Sequence, residues 1–507
     1  MSAVEPLTPP QNGVTVRMYR QGHGDCFLVA FPREGEGPPY YVMIDCGYKP
    51  GSQEFLAHGK SIGDIVNHLH ASCGGRIDLA ILTHEHQDHL NGIWKANQPY
   101  FEDFEIDEAW VAWTEDPGNS LANELRTRHK DQLLGLLAAR RELALAAGED
   151  DPAVSRLDAL LDLELGGAAE RLDMPELLAA AENPERSVNK QGMKLIKDKA
   201  AAKKGRLFLS PGTEPIRLDG AAGIRAFVLG PPESAELIAD EDPRDGEGFP
   251  QDHAFSFAGA FRAPEDRLSS PFRRQFYVPL EFAFDSETPF FLERYGRGSD
   301  VVRERGRVEV PPDAAWRRID DEWLYSAETL ALKLNTGINN TSLVVAFELP
   351  KSKKVLFFAG DAQRGNWSSW KDVKFKDGTA TVTAKDLLAR AVLYKVSHHG
   401  SHNATLSGSA NDEHPNLGWM GQGLAASEFT AMITAVSEWA MTKNQPPWVH
   451  PLPSIRKALE SKAQGRVFQT DDNEPVKPEG LSAAEWKRFT DRSVFEDLYF
   501  DWMVLDE

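Results

Sequence analysis

Hydrophobic and polar positions divide the chain into two kinds of segment. Short apolar runs bounded by Gly, Pro or polar residues predict strands at Val14–Tyr19, Cys26–Phe31, Tyr40–Asp45, Ile77–Leu82 and Ala109–Trp113, with a helix at Ile65–His70. From Leu121 to Ala181 the pattern becomes helical, with Leu133, Leu134, Leu137 and Arg141 on one spacing. A break at Gly148, Asp151 and Pro152 makes this a helical hairpin. Strands resume at Leu207–Leu209 and Ile224–Leu229. After an irregular region, Glu233 to Gly337, they continue at Ser342–Leu349, Lys354–Gly360, Ala391–Ser397, Ala431–Val436 and Arg466–Gln469, with a helix at Ser454–Lys462. Near-continuous apolar runs such as Ile77–Leu82 fit strands covered on both faces, so the expected class is α/β.

Composition narrows this picture. With 41% hydrophobic and 26% charged residues, the chain is neither disordered, collagenous nor membrane-spanning in character. Its 507 residues suggest several domains or one domain with large insertions. A net charge of −21 argues against coating nucleic acid by bulk charge, while leaving room for a phosphodiester held at a local metal or Arg site. Met1 to Pro10 lacks the pattern of a secretory signal, and Cys26, Cys46 and Cys73 are too few for a disulfide framework. A reducing, cytoplasmic location without a membrane partner is the expectation. Two local biases stand out. Arg186–Arg206 holds eight basic residues against one acid, Asp198, and could track a nucleic-acid backbone or form a solvated helix face. Glu233–Gly337 holds twelve arginines, one lysine (Lys333) and ten of the 26 phenylalanines, suited to phosphate contacts and base stacking or to its own core.

The chemistry sits at strand ends. Thr83-His84-Glu85-His86-Gln87-Asp88-His89 directly follows a predicted strand. Its three imidazoles and a carboxylate are natural ligands for Zn²⁺-type ions, His84 and His86 converging on one ion, Asp88 and His89 reaching a second. A polar loop with capping histidines is the alternative. Gly360-Asp361 ends another strand, where a carboxylate can bridge two cations or simply shape a turn. Ser397-His398-His399-Gly400-Ser401-His402 follows a third strand. In a continued strand His398 and His399 would face opposite sides, so at most one would reach the same ions, and the other would contact substrate or act as an acid. Trp367 and Trp370 either wall the site or pack in the core.

Together these residues resemble the metallo-β-lactamase superfamily, and within it the hydrolase domains of ComEC-type DNA-uptake proteins and their soluble relatives. Gln21-Gly22-His23-Gly24-Asp25, Ile44-Asp45-Cys46-Gly47, His84–His89, Val228-Leu229-Gly230-Pro231-Pro232, Asn339-Asn340-Thr341-Ser342-Leu343, Gly360-Asp361, His398–Ser401 and Val449-His450-Pro451 carry the likeness in order. The resemblance implies an αββα sandwich forming one domain over 13–507. Its core segments would be 13–114, 205–232 and 338–507, with a helical insertion over 115–204 and the Arg/Phe-rich insertion over 233–337.

It further implies two divalent ions, Zn²⁺ or Mn²⁺. His84 and His86 would bind metal one, Asp88 and His89 metal two, Asp361 would bridge, and His399, rather than His398, would complete metal two. Asp45 would bond the ligand loop from behind. Many superfamily members carry a further histidine on metal one; here Gly230-Pro231 stands at the matching place, leaving that position to water or to Asp25, and His253 has no tie to the site. Two such ions acidify a bridging water, and the resulting hydroxide hydrolyses an ester without a protein nucleophile. The expected function is a metal-dependent phosphodiesterase or nuclease acting on single-stranded nucleic acid or a nucleotide. Asp88, His398, His402 and His450 are its expected catalytic residues. Hydrolysis of a non-phosphate ester, lactone or lactam, and a catalytically silent binding subunit, are the alternatives.

Overall fold

The computed structural model describes residues 4–95, 98–149, 188–212, 214–249, 337–443 and 448–507, the isolated positions 154, 157, 158 and 161, and the short pieces 302–304 and 307–309. Most of the Arg/Phe-rich insertion, with His253, and most of the second arm of the helical hairpin lie outside the described residues. The first arm is one helix, Ser120–Ala147.

Among the described residues fifteen strands build two large sheets: β1 (Gly13–Tyr19), β2 (Cys26–Phe31), β3 (Tyr40–Cys46), β4 (Arg76–Ile81), β5 (Glu105–Ala112), β6 (Gly205–Leu209), β7 (Ile216–Arg217), β8 (Arg225–Gly230), β9 (Val344–Glu348), β10 (Val355–Phe358), β11 (Ala391–Lys395), β12 (Thr430–Ile433), β13 (Val467–Gln469), β14 (Ser493–Phe495) and β15 (Tyr499–Leu505). The eight-stranded sheet runs β14-β15-β1-β2-β3-β4-β5-β6, and the seven-stranded sheet runs β13-β12-β11-β10-β9-β8-β7. From β3 to β6 neighbours are parallel, and so are β10 to β13; the other pairs are antiparallel.

Strand alternation explains the layering. Phe27, Val29 and Phe31 of β2 join Val345 and Phe347 of β9 and Leu356 and Phe358 of β10 in one core between the sheets. Cys26, Leu28 and Ala30 face outward, onto Ile65, Val66 and Leu69 of the helix Ile62–Cys73 and Met193 and Ile196 of the helix Val188–Ala201. The second sheet's outer face, with Val344, Ala346 and Phe357, is covered by Trp367 and Trp370, Leu387 and Leu388, and Ile455 and Leu459. Each central strand is therefore buried on both sides, which is why it is written as an unbroken apolar run. Trp367 and Trp370 belong to this core: both are fully buried, and their rings lie 4.4 Å apart.

Four lysines of the basic segment bind the protein itself. Lys197 pairs with Glu115, Lys203 with Glu105 and Asp107, Lys194 with Asp198, and Lys199 donates to the Glu102 and Phe104 carbonyls.

Parallel strands share their carboxyl ends. The loops leaving β3 and β4 therefore gather at one edge of the first sheet, and those leaving β10, β11 and β12 at one edge of the second. Two backbone hydrogen bonds join the edges: Leu343 N–H to the Thr83 carbonyl at 2.9 Å, and Gly24 N–H to the Thr434 carbonyl at 3.2 Å. The polar motifs meet there.

Candidate metal centre

Local backbone geometry aims each side chain. Between β2 and β3, Cys26 pairs with Cys46 but Phe27 pairs with Ile44, so Asp45 is the extra residue of a bulge. It holds φ 54, a conformation unfavourable for residues with a Cβ. The bulge turns Asp45 onto the ligand loop. Oδ1 accepts from the Thr83 amide at 2.8 Å, and Oδ2 accepts from Thr83 Oγ1 at 2.6 Å and contacts His89 Nδ1 at 2.8 Å. Gly47 permits close approach: a Cβ there would meet the His89 nitrogen at 2.3 Å. Asp25 N–H donates to the Asp88 carbonyl at 2.9 Å, locking the loops together.

On the other sheet, β11 ends at Lys395 and Ser397–Gly400 forms a single turn with left-handed His398 (φ 45) and His399 (φ 54). The turn separates the two rings. His399 points inward, Nε2 lying 3.1 Å from Asp88 Oδ2 and 3.3 Å from Asp361 Oδ2, while Nδ1 rests 3.0 Å from the Thr434 carbonyl. His398 instead meets amide side chains: Asn339 Nδ2 at 3.3 Å from Nε2, and Gln363 Nε2 and Asn403 Oδ1 each at 3.3 Å from Nδ1.

A buried group of Asp25, His89, Asp361 and His399 can hold a metal ion. Asp88 adjoins this group through His399. Asp25 faces the Nδ1 edges of His89 and His399, at 3.7 and 3.8 Å, and its oxygens are engaged by Thr434 Oγ1 at 2.6 Å and Lys395 Nζ at 2.5 Å. It supports the rings from behind. Asp88 Oδ2, His399 Nε2, Asp361 Oδ2 and His89 Nε2 follow one another at 3.1, 3.3 and 3.1 Å. Donors about 2.0–2.1 Å from a tetrahedral Zn²⁺ stand about 3.3 Å apart, the spacing of these three contacts. His89 Nε2 is buried and makes no regular hydrogen bond among the described residues despite that 3.1 Å approach. Such an atom awaits a different partner. Beside this set, His84 Nε2 and His86 Nδ1 lie 3.0 Å apart, a second pair of donors. Gly230 faces Asn366, whose Oδ1 would meet its Cβ at 2.1 Å, and contributes no donor.

Charge is tightly organised. Burial disfavours the carboxylates, yet Lys49 and His399 hold Asp88 well below the usual range, and His399, His89 and Lys395 do the same for Asp361. Burial likewise opposes a charged His399, but Asp361 and Asp88 override it and hold the ring up at about 9. Burial, with His89 and His86 close by, pushes His84 well below its ordinary value. These are the shifts expected where acids and imidazoles are packed for a cation.

Three residues of the site give little sign in a linear reading. Lys395, buried, contacts both Asp25 and Asp361, and Lys49 Nζ lies 3.0 Å from Asp88 Oδ1. His23 accepts from the Val436 amide at 3.2 Å and packs, with tilted rings, between His399 and Trp439, at 4.4 and 4.9 Å. Its place in Gly22-His23-Gly24-Asp25 was the one available signal. His450 lies against His23 and His398, each 5.5 Å away. His402 is 41% exposed and reaches Asp242 at 3.3 Å.

The chain matches no protein-family model, and no curated protein matches it. No helix among the described residues is long and apolar enough to cross a membrane.

Proposed function

We propose that this chain is a metal-dependent hydrolase of the metallo-β-lactamase type, acting on a phosphodiester. The observation that carries this is the buried run of donor atoms Asp88–His399–Asp361–His89, successive members 3.1–3.3 Å apart, at the edge where two sheets meet. The two-sheet sandwich with helices outside supports the same reading. Asp88, His89, Asp361 and His399 would hold one ion, and His84 and His86 a second. A bound divalent ion supplies Lewis acidity, polarising a substrate oxygen and easing proton loss from water.

The protein's own residues do the rest. Asp45 fixes the His89 ring, and Thr434 fixes His399. His398 and His450 are held neutral. Burial is the main cause at both, putting His398 near 4 and His450 well below its ordinary value. At neutral pH that favours hydrogen bonding to substrate over proton donation, the two roles expected of them. The exposed His402 lies on the rim. Four buried carboxylates (Asp25, Asp45, Asp88, Asp361) and two buried ammonium groups (Lys49, Lys395) would be left net positive by two dications, which favours an anionic substrate.

The test is hydrolysis by metal-supplemented protein of single-stranded DNA, RNA, bis-p-nitrophenyl phosphate and a chromogenic lactam, with His86→Ala as control. Phosphodiester cleavage lost in the control supports the proposal. Cleavage confined to the lactam transfers the function to non-phosphate substrates, and inactivity after Zn²⁺ or Mn²⁺ addition rejects catalysis.

A further inference from the structure

A row of rings leads from the candidate metal centre to the surface. His23 lies 4.4 Å from His399. His450 stacks on His23 at 5.5 Å and 23°, and Trp448 stacks on His450 at 5.8 Å and 19°. Trp439 closes the group, 4.9 Å from His23 and edge-on to Trp448 at 6.0 Å. His450 is itself 6.3 Å from His399, so a single ring stands between Trp448 and a candidate ligand.

Exposure rises along this row. His399 and His23 are buried, and His450 and Trp448 are half-buried. The surface beyond stays apolar. Leu56, Trp439 and Ala440 pack in one cluster with Trp448 against it, and the chain neighbours Phe55 and Met441 are 40% and 53% exposed. Single exposed apolar residues are ordinary, but here they extend a ring wall that starts at a site built for charge.

Such a wall is the wrong surface for phosphoryl oxygens. An indole face carries no charge for them, whereas it gains from a flat aromatic partner. The phosphoryl group belongs with the ions, and the part of the substrate against Trp448 is flat and uncharged. In a nucleotide that part is the base, carried by the sugar next to the phosphate.

We propose that Trp448 and His450 form a base-stacking subsite, so that the phosphodiester hydrolysed is one that carries a nucleobase beside the scissile bond. The proposal rests on the metal-hydrolase reading and adds to it the chemical class of substrate and the residue that selects it.

Full-length protein supplemented with Zn²⁺ or Mn²⁺ is assayed on thymidylyl-thymidine and on oligothymidylate. Each is paired with an analogue in which abasic tetrahydrofuran residues replace the nucleosides and every phosphate is kept. Products are followed by mass spectrometry, and Trp448→Ala and Trp448→Phe are assayed alongside. The wild type is expected to show a kcat/KM about tenfold or more higher for the base-bearing member of a pair. Trp448→Ala brings that ratio to near unity, chiefly through KM, and Trp448→Phe keeps most of it. A preference in both pairs supports the subsite with a small nucleotide as sufficient occupant; a preference in the oligonucleotide pair alone supports it with single-stranded nucleic acid as the occupant. A wild-type ratio near unity in both pairs overturns the proposal whether or not a variant folds. So does an undiminished ratio in folded Trp448→Ala. If none of the four phosphodiesters is cleaved, the phosphodiesterase reading falls and the subsite with it, a result distinct from cleavage that ignores the base.

Discussion

Asp45 Oδ2 lies 2.8 Å from His89 Nδ1, and the backbone that places it there is held at φ 54. The carboxylate accepts the Nδ1 proton, which leaves Nε2 unprotonated and facing Asp361 when an ion is bound. Strain at Asp45 is thus offset by orientation at His89. Asp45→Asn keeps the shape and loses the charge. The expected outcome is Zn²⁺ affinity lowered about 10–100-fold, read by competition with a chromophoric chelator. Equal affinities would show that the Thr83 and Asp45 contacts shape only the loop.

What could be read from the sequence follows from locality. Strands buried on both faces announce themselves as apolar runs, and Cys26–Phe31 matches its strand end to end. Candidate ligands collected at strand ends announce themselves as His84–His89, Gly360-Asp361 and His398-His399. The inward choice of His399 required the left-handed turn, which no periodicity encodes. Lys395 is a single polar residue closing an apolar strand, and its meaning comes from Asp25 in the opposite sheet. The strand Tyr499–Leu505 was missed because Asp501 interrupts its apolar pattern; the Arg17 that explains it lies 484 residues earlier. The basic segment 186–206 was legible as charge, but its partners Glu105, Asp107 and Glu115 lie on other elements.

Protonation of His399 links pH to both stability and metal binding. Burial opposes its charge, but Asp361 and Asp88 raise it from 6.5 to about 9. A raised folded-state value contributes stability that is fully present below about 6.5 and is lost as pH rises through about 9. His89 is shifted in the same direction, by Asp361, Asp25 and Asp45 against burial. Chelator-treated protein is therefore expected to melt at progressively lower temperature between pH 6.5 and 9. An ion must displace these protons, so Zn²⁺ affinity rises over the same window. Melting curves with and without Zn²⁺ at several pH values check both trends; a flat profile for the metal-free protein would contradict them.

Gly47 tests how closely the loops must approach. A Cβ there would sit 2.3 Å from the His89 nitrogen and 2.4 Å from the Asp88 carbonyl carbon, both backbone atoms. Gly47→Ala must displace the ligand loop, costing about 1–3 kcal/mol or more and weakening metal binding together with stability. Gly135 is the contrast. It is exposed within the helix Ser120–Ala147, and a Cβ there meets nothing within 4 Å. Gly135→Ala is expected to stabilise by about 1 kcal/mol and leave metal binding unchanged. Denaturant midpoints and Zn²⁺ titrations of the two variants make the comparison.

Arg17 and Asp501 fasten the last long strand to the first. Arg17 Nε and one terminal nitrogen each lie 2.7 Å from an Asp501 oxygen, the other terminal nitrogen donates to Ser72 Oγ at 2.9 Å, and the guanidinium stacks 3.5 Å over Tyr499. Both side chains are buried, at 6% and 7% exposure. Removing one partner strands the other charge away from water. Asp501→Leu is therefore expected to cost about 3–5 kcal/mol, and Arg17→Met a similar amount. Replacing both removes the two desolvation costs together, so Arg17→Met with Asp501→Leu should lose distinctly less than the two single changes added. Denaturant unfolding of the four proteins gives the coupling directly. Strict additivity would mean that the bidentate pair contributes nothing to holding Tyr499–Leu505 against Gly13–Tyr19.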